Sequence, residues 1–206
     1  MNLLYKNRMT WIMACTLVLF AQTSVAESRN DTHRTDDGTY SWIPYTSSGY
    51  VGLNLGIPKF HTSCDGSLRC DNPPIAGKIY AGGMLSNGVG LELGYVNMGR
   101  AERNGGYTTA QGINLSLVGN LPMNDKFNAF GKVGAIYGWT DTSASPSLVS
   151  YNTGYERGIG LSYGAGFAVN VRPKTQIVLE WDRQGFNFKD SRADIDLYSI
   201  GVKYIF

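Results

Sequence analysis

Six charged residues stand singly in stretches of the sequence where apolar residues alternate with small or polar ones. Charges of both signs that share a narrow space of low dielectric form ion pairs, because an unpaired charge there is costly. The same groups could instead pass small ions if the pairs exchanged partners. The candidates are three lysines and three acids, whose charges cancel: Lys78, Lys132, Lys203, Glu92, Glu180 and Asp182.

Other kinds of chemistry have weaker support in the sequence. The two histidines, His33 and His61, lie in polar segments, and neither has a nucleophile placed beside it. A metal site built from His61, Cys64 and Cys70 lacks a clear fourth ligand. The glycines of residues 104–106 mark a turn rather than a phosphate-binding loop, since no helix pattern follows them. We therefore expect no enzyme activity, no cofactor and no metal.

The first 26 residues have the three parts of a secretory signal peptide. Lys6 and Arg8 form a basic start, residues 11–21 an apolar core, and residues 24–26 a small-residue cleavage site. A transmembrane anchor is the alternative, but the apolar run is shorter than the roughly 20 residues that span a bilayer. The sequence thus predicts export, with a signal peptide over 1–26.

Export gives the remaining cysteines a meaning. Cys15 would leave with the signal peptide, so Cys64 and Cys70 remain as a pair in a polar stretch. An oxidising compartment would join them in a disulfide, which for so short a loop stabilises by about 2–3 kcal/mol on the chain-entropy model. The sequence predicts a disulfide that stiffens a loop.

Composition indicates an ordered β-protein. The chain has 206 residues, of which 43% are hydrophobic and 17% charged, with 26 glycines and 13 tyrosines. Disordered and collagen-like proteins are excluded, and the aromatic, β-branched character favours strands. A formal net charge of +2 gives no sign of nucleic-acid binding.

Apolar residues recur with period two along most of the chain after residue 49. In residues 159–171 the odd positions are apolar and the even ones are small or polar. Such alternation is typical of strands with two different faces. Eight strands are predicted, over residues 50–57, 79–85, 89–95, 113–118, 132–139, 159–171, 176–182 and 198–206.

The predicted connections alternate between long and short. Residues 58–75, 97–108, 140–158 and 184–193 are long and polar, whereas the turns between them are brief. Asn87-Gly88 is a strong hairpin signal. In an antiparallel meander of this kind, all the long connections emerge at one end.

The residues of the second face decide between a soluble barrel and a membrane barrel. That face carries Gly, Ser, Asn and Ala with few charges. A face of this composition would cover a water-exposed surface poorly, but it would suit a narrow lumen. The apolar face would then contact lipid, and closure would satisfy every backbone hydrogen bond. Aromatic residues near predicted strand ends fit interfacial girdles: Tyr95, Phe127, Trp139, Trp181, Tyr204 and Phe206.

The chain resembles the OmpA-like family of eight-stranded outer-membrane barrels, comprising the OmpA transmembrane domain and its small relatives such as OmpX. Residues 49–56, 90–95, 130–134 and 163–167 carry the resemblance, together with a C-terminal pattern that ends on an aromatic residue. That pattern looks like the insertion signature of outer-membrane proteins: Tyr198, Ile200, Val202, Tyr204 and Phe206. The expected fold is all-β, a closed, antiparallel, up-and-down barrel over 49–206, preceded by a periplasmic lead segment over 27–48.

The resemblance also implies a place and a role. It implies a Gram-negative outer membrane with both termini periplasmic, contact with lipid and lipopolysaccharide, and insertion by the barrel-assembly machinery. We expect a structural role in the cell envelope, with surface or host macromolecules contacted by the loops; a narrow porin-like channel is the alternative. A lipid A-modifying enzyme is less favoured, because such barrels use His together with Ser. The sequence also stops where OmpA continues into a peptidoglycan-binding domain, so no such domain is expected.

Overall fold

A computed structural model describes residues 46–61, 70–85, 87–103, 106–143, 154–188 and 191–206. Every regular element in these ranges is a strand, and none of their residues belongs to a helix long and apolar enough to cross a bilayer. The nine strands are β1 (Ser48–Phe60), β2 (Cys70–Asp71), β3 (Ala76–Met84), β4 (Val89–Arg103), β5 (Gly106–Pro122), β6 (Phe127–Ser143), β7 (Gly154–Arg172), β8 (Thr175–Phe188) and β9 (Ser191–Ile205).

Eight of these strands form a closed antiparallel barrel. Each pairs with its sequence neighbours from β3 to β9, and β1 pairs with both β3 and β9, which closes the ring. The two-residue strand β2 pairs only with the end of β4. The prediction of a closed eight-stranded antiparallel barrel is confirmed.

The turns at one end of the barrel are tight and well bonded. At residues 85–88, the Leu85 amide donates to the carbonyl of Val89 and Gly88 adopts a φ of 78°. In the next such turn, the Asn124 side chain accepts from the amides of Lys126 and Phe127, both at 2.9 Å. We call this the short-turn end; the opposite end, where β1 ends at Phe60, β4 at Arg103, β6 at Ser143 and β8 at Phe188, is the loop end.

Two predicted long connections are wrong, because they are mostly strand. Within 97–108, β4 runs to Arg103 and β5 begins at Gly106; within 184–193, β8 runs to Phe188 and β9 begins at Ser191. The register of β4 and β5 shifts between Asn97 and Arg100, at a bulge where Gly99 has a φ of 75°. The bulge adds one residue to β4 and shifts the alternation by one position, so that Met98 and Ala101, three residues apart, both point inward.

Through the middle of the barrel the apolar face points outward. Leu53, Leu115 and Ile200 are each more than half exposed, whereas inward neighbours such as Asn54 and Ser116 are buried. A belt of apolar side chains around the whole wall is far larger than the exposed patches of soluble proteins. The predicted facing is therefore what the structure has.

Within the described residues the interior contains two apolar clusters, one near each end. The smaller consists of Val118, Phe130, Ala168 and Val178, towards the short-turn end. The larger fills the loop end and consists mostly of residues in or beside stretches that the sequence predicted as long connections: Phe60, Ala76, Val96, Met98, Ala101, Ala110, Ile136, Phe186, Ile195 and Leu197. At this end exposed positions such as Arg100 and Glu102 are polar and the inward positions are apolar, so the small and polar face predicted for the strands does not continue to the loop end.

Candidate functional site

A network of five charged side chains crosses the middle of the lumen. The inward positions of β3, β4, β6 and β8 supply them, and all are at most 5% exposed: Lys78, Glu92, Lys132, Glu180 and Asp182. The period-two geometry of a strand fixes their inward direction, and barrel closure brings the four strands face to face.

Glu180 and Glu92 each lie between two lysines. Lys78 Nζ is 2.8 Å from Glu180 Oε1, 3.0 Å from Asp182 Oδ2 and 3.6 Å from Glu92 Oε1. Lys132 Nζ is 2.8 Å from Glu92 Oε1 and 2.5 Å from Glu180 Oε1. The network is thus continuous across the lumen.

Neutral side chains complete the hydrogen bonding of the two glutamates. Asn54 Nδ2 donates to Glu180 Oε2 at 2.8 Å, and the Tyr50 hydroxyl donates to Glu92 Oε2 at 3.1 Å. Tyr80 donates in turn to Asn54 Oδ1 at 3.3 Å. Buried ion pairs are favourable only when such additional bonds occupy the remaining lone pairs.

Two glycines make room for the tyrosines of this network. Tyr80 lies opposite Gly52 on the neighbouring strand, and Tyr50 lies opposite Gly82. A Cβ on Gly52 would be 2.2 Å from Tyr80 Cζ, and one on Gly82 would be 2.4 Å from Tyr50 Cζ. Each ring therefore occupies the space that a side chain on the facing strand would need, which fixes its position.

Lys203, the sixth candidate, lies apart from the other five. Among the described residues no carboxylate oxygen is within 4 Å of its Nζ, which instead lies 5.1 Å from the ring centroid of Tyr50 and 5.5 Å from that of Phe130. The sequence predicted one paired network of all six charges, but among the described residues Lys203 has no ion pair. The structure brings five of the six candidates into contact and leaves this lysine towards the short-turn end.

Beside Lys203 is a cavity of about 620 Å³ at the short-turn end. Tyr50, Tyr80, Phe130 and Lys132 also line it, and its outermost lining residues belong to the short turns. At the other side of the network the lumen is filled by the larger apolar cluster. The charges thus separate a cavity from a packed core.

A second charged group, on the outer wall near the loop end, was missed by the sequence reasoning. Arg183 Nε and Nη2 donate to Asp196 Oδ1 and Oδ2 at 2.6 and 2.8 Å, and His61 Nε2 is 2.8 Å from Asp196 Oδ2. This pair could have been found only from the register of β8 and β9, in which Arg183 lies directly opposite Asp196. Within the described ranges no hydroxyl or thiol hydrogen-bonds to the His61 imidazole, so the group lacks a nucleophile there.

The other candidates differ in how far the structure describes them. Cys64 and His33 lie outside the described residues, as does the side chain of Cys70, so the disulfide stays a prediction. Of the C-terminal pattern, Tyr198, Ile200, Val202 and Tyr204 point outward on β9, and the Phe206 amide donates to the carbonyl of Gly49 at 2.9 Å. In the described part of the chain no three His, Cys, Asp or Glu side chains are arranged to hold a metal ion.

Comparison with known proteins places this architecture. Residues 44–206 match the family described as the OmpA-like transmembrane domain. The chain belongs to this family. This OmpA-like barrel is 25% identical to outer membrane protein A of Salmonella typhi over 175 residues, covering 79% of the chain and 49% of that protein. The corresponding protein of Yersinia pseudotuberculosis is 24% identical over 206 residues, covering 94% and 54%.

Solved structures show the same fold at low identity. Neisserial surface protein A has a TM-score of 0.57 at 11% identity, covering 76% of the OmpA-like barrel and 96% of its own chain. OprG of Pseudomonas aeruginosa has a TM-score of 0.50 at 11% identity, covering 79% and 97%. The chain spans about half the length of the two curated relatives. It is a β-barrel of the outer membrane.

Proposed function

We propose that this OmpA-like barrel has a structural role in the cell envelope, as a closed membrane anchor rather than an open pore. The proposed orientation in the outer membrane places the short turns and both termini in the periplasm and the loop end at the cell surface. The observation that carries the proposal is the charge network, in which two lysines and three carboxylates link four strands across the lumen.

The interior supports this proposal through two successive obstacles to ion flow. A passing ion would have to disrupt paired charges that are almost completely buried, at a cost of several kcal/mol for each uncompensated charge. It would then meet the apolar cluster of the loop end, where residues such as Met98 and Leu197 are fully buried. Neither region offers the continuous polar path of a diffusion channel.

A narrow channel is the second candidate, because the lysines share their partners. Glu180 Oε1 accepts from both Lys78 and Lys132, and Lys78 lies within 4 Å of three carboxylates. A small side-chain movement would exchange one pair for another without leaving a charge unpaired. Such an exchange is the basis of a gate.

Conductance in planar bilayers tests the anchor against the channel. For refolded protein we expect no steady openings, and none in Glu180→Gln. Asp125→Asn, at an exposed turn, is the matched control for loss of one negative charge. Steady openings whose conductance or ion selectivity changes in Glu180→Gln or Lys203→Met, but not in the control, would overturn the structural role in favour of the channel.

Each surface of the barrel has its own proposed partner. The apolar belt would contact membrane lipid, and the loop end would meet lipopolysaccharide and surface or host macromolecules; the C-terminal pattern would be read by the barrel-assembly machinery. Catalysis is not proposed, since Asp196 is already bound to Arg183 at both oxygens. Lipid A hydrolysis or acyl transfer that His61→Ala abolishes would contradict this.

A further inference from the structure

The cavity at the short-turn end has the dimensions of a ligand site. Its volume of about 620 Å³ lies within the roughly 300–1,000 Å³ of small-molecule pockets. Ser47 and Ser48 line it together with Asn87 and Leu121, so it opens at this end of the barrel. Its floor is the charge network, through Glu92 and Lys132.

Lys203 is the charged group of this cavity whose ammonium can still bind an anion. Its ammonium carries three donors, and none of the described carboxylates is paired with it. The nearby lysine, Lys132, already contacts two carboxylates. An ammonium held over the Tyr50 and Phe130 rings in a confined lumen is stabilised further when an anion is brought to it.

The remaining wall favours an apolar body beside the anionic group. Val118, Phe130 and Val178 form the smaller apolar cluster and line the cavity, with Met84 near its mouth. The Tyr50 and Tyr80 rings are held by their packing against Gly82 and Gly52. These surfaces are fixed before any ligand arrives, which reduces the ordering cost of binding.

Glu92 limits the charge that the cavity accepts. Its carboxylate is occupied by Lys132 and by the Tyr50 hydroxyl, so it is not a partner for Lys203. Of the two lysines that line the cavity, Lys132 is already held by Glu92 and Glu180, whereas Lys203 has no carboxylate oxygen within 4 Å among the described residues. One ammonium is therefore available to one negative charge, whereas a second negative charge would face the Glu92 carboxylate.

We propose that this cavity binds a small organic monoanion, with one carboxylate on an apolar or aromatic body, that enters from the short-turn end. The carboxylate pairs with Lys203, and the body packs against Val118, Phe130 and Val178. The opposite entrance is closed by the charge network and the apolar cluster beyond it. The site does not depend on whether the barrel conducts ions.

Methyl NMR of the protein in lipid nanodiscs tests the site with benzoate as the probe. Millimolar benzoate is expected to shift the methyl signals of Val118, Val178 and Met84, while the outward methyls of Val133 stay unchanged. Benzamide has the same shape without the charge and is expected to bind at least about tenfold more weakly, as is usual when a charged hydrogen bond is lost.

Variants then assign the charge to Lys203. Lys203→Met is expected to weaken benzoate binding about tenfold or more, whereas Lys203→Arg retains it. Lys174→Met, at an exposed turn of the same end, is the matched control and should bind as the wild type does. The proposal is overturned if the wild type shows no shifts, if benzamide binds equally well, or if Lys203→Met binds benzoate unchanged.

Discussion

The two halves of the barrel wall have opposite polarity. In the middle and towards the short turns the outer face is apolar, as at Leu53 and Leu115, and the interior holds charged side chains such as Glu180, with only the smaller apolar cluster beside them. Towards the loop end, Arg100 and Glu102 are outside, and Met98 and its neighbours are inside. One continuous sheet thus contacts lipid along one part of its outer face and water along the other, and the side chains of each part have the polarity that these surroundings favour.

The difference shows that the two halves are stabilised in different ways. The loop end is built like a soluble barrel, in which burial of apolar surface from water supplies the driving force. The membrane-embedded part has little to gain from burying apolar groups away from lipid, so its interior is held by paired charges and hydrogen bonds. The following substitutions separate these contributions.

Removing one lysine of the network should give the largest effect. Lys78→Met leaves Asp182 and Glu180 short of a partner in the lumen, and we expect a loss of about 3–5 kcal/mol in the free energy of unfolding. Urea unfolding in lipid vesicles measures this. Lys126→Met, on an exposed turn, should change almost nothing. If both variants had the stability of the wild type, the network would not hold this half together.

A charge on the lipid-facing side should cost slightly less. Leu161 is 61% exposed on β7, and Leu161→Arg near the bilayer centre is expected to destabilise by about 2–4 kcal/mol, because a guanidinium must then enter hydrocarbon. The same unfolding measurement applies, with Leu161→Val as the conservative control. Equal tolerance of the two changes would contradict the assignment of this face to lipid.

The bulge that precedes the loop-end wall is the next test. Gly99→Ala would place a side chain at a φ of 75°, with its Cβ 2.8 Å from the carbonyl oxygen of Ile75, so we expect a cost of about 1–3 kcal/mol. Hydrogen exchange should then increase in β4 beyond the bulge and in its partner β5, and remain slow around Leu93. Uniform exchange along β4 would mean that the bulge does not separate the two halves.

The smallest predicted effect compares one substitution in the two halves of β9. Ile195 is fully buried in the loop-end cluster, whereas Ile200 is 56% exposed on the lipid face. Ile195→Val should cost about 0.5–1.5 kcal/mol because it opens a gap in a packed core, and Ile200→Val should cost nearly nothing because lipid fills the space. Equal costs would show that the loop-end interior is not packed as a core.

Much of the fold could be predicted from the sequence, since alternation is a local property. The direction of Leu161, Lys78 and Glu180 follows from the two-residue repeat alone. The extents of β4 and β8 could not be predicted in this way, because beyond the membrane the same alternation continues with its polarity reversed. A polar stretch with residues such as Asn97 and Arg100 then resembles a loop when its inward partners are not known.

Contacts between side chains across the barrel were harder to predict from the sequence than the direction in which each side chain points. The ammonium–carboxylate contact of Lys78 and Glu180 joins residues 102 positions apart, and the Arg183–Asp196 pair depends on the register of two strands. The sequence suggested that six lumen charges would pair, yet among the described residues no carboxylate oxygen lies within 4 Å of Lys203 Nζ, which instead faces two aromatic rings. Which charges meet depends on how far along each strand they lie after closure.

The order of residues by itself determined the number of barrel strands and the side to which most residues of the wall point, because successive side chains of a strand alternate whatever the strand pairs with. Only the closed tertiary structure decided which side chains touch, where the wall changes its polarity, and that Lys203 borders a cavity rather than a carboxylate. Those features depend on register and closure, which join residues far apart in the chain, and no local repeat encodes them.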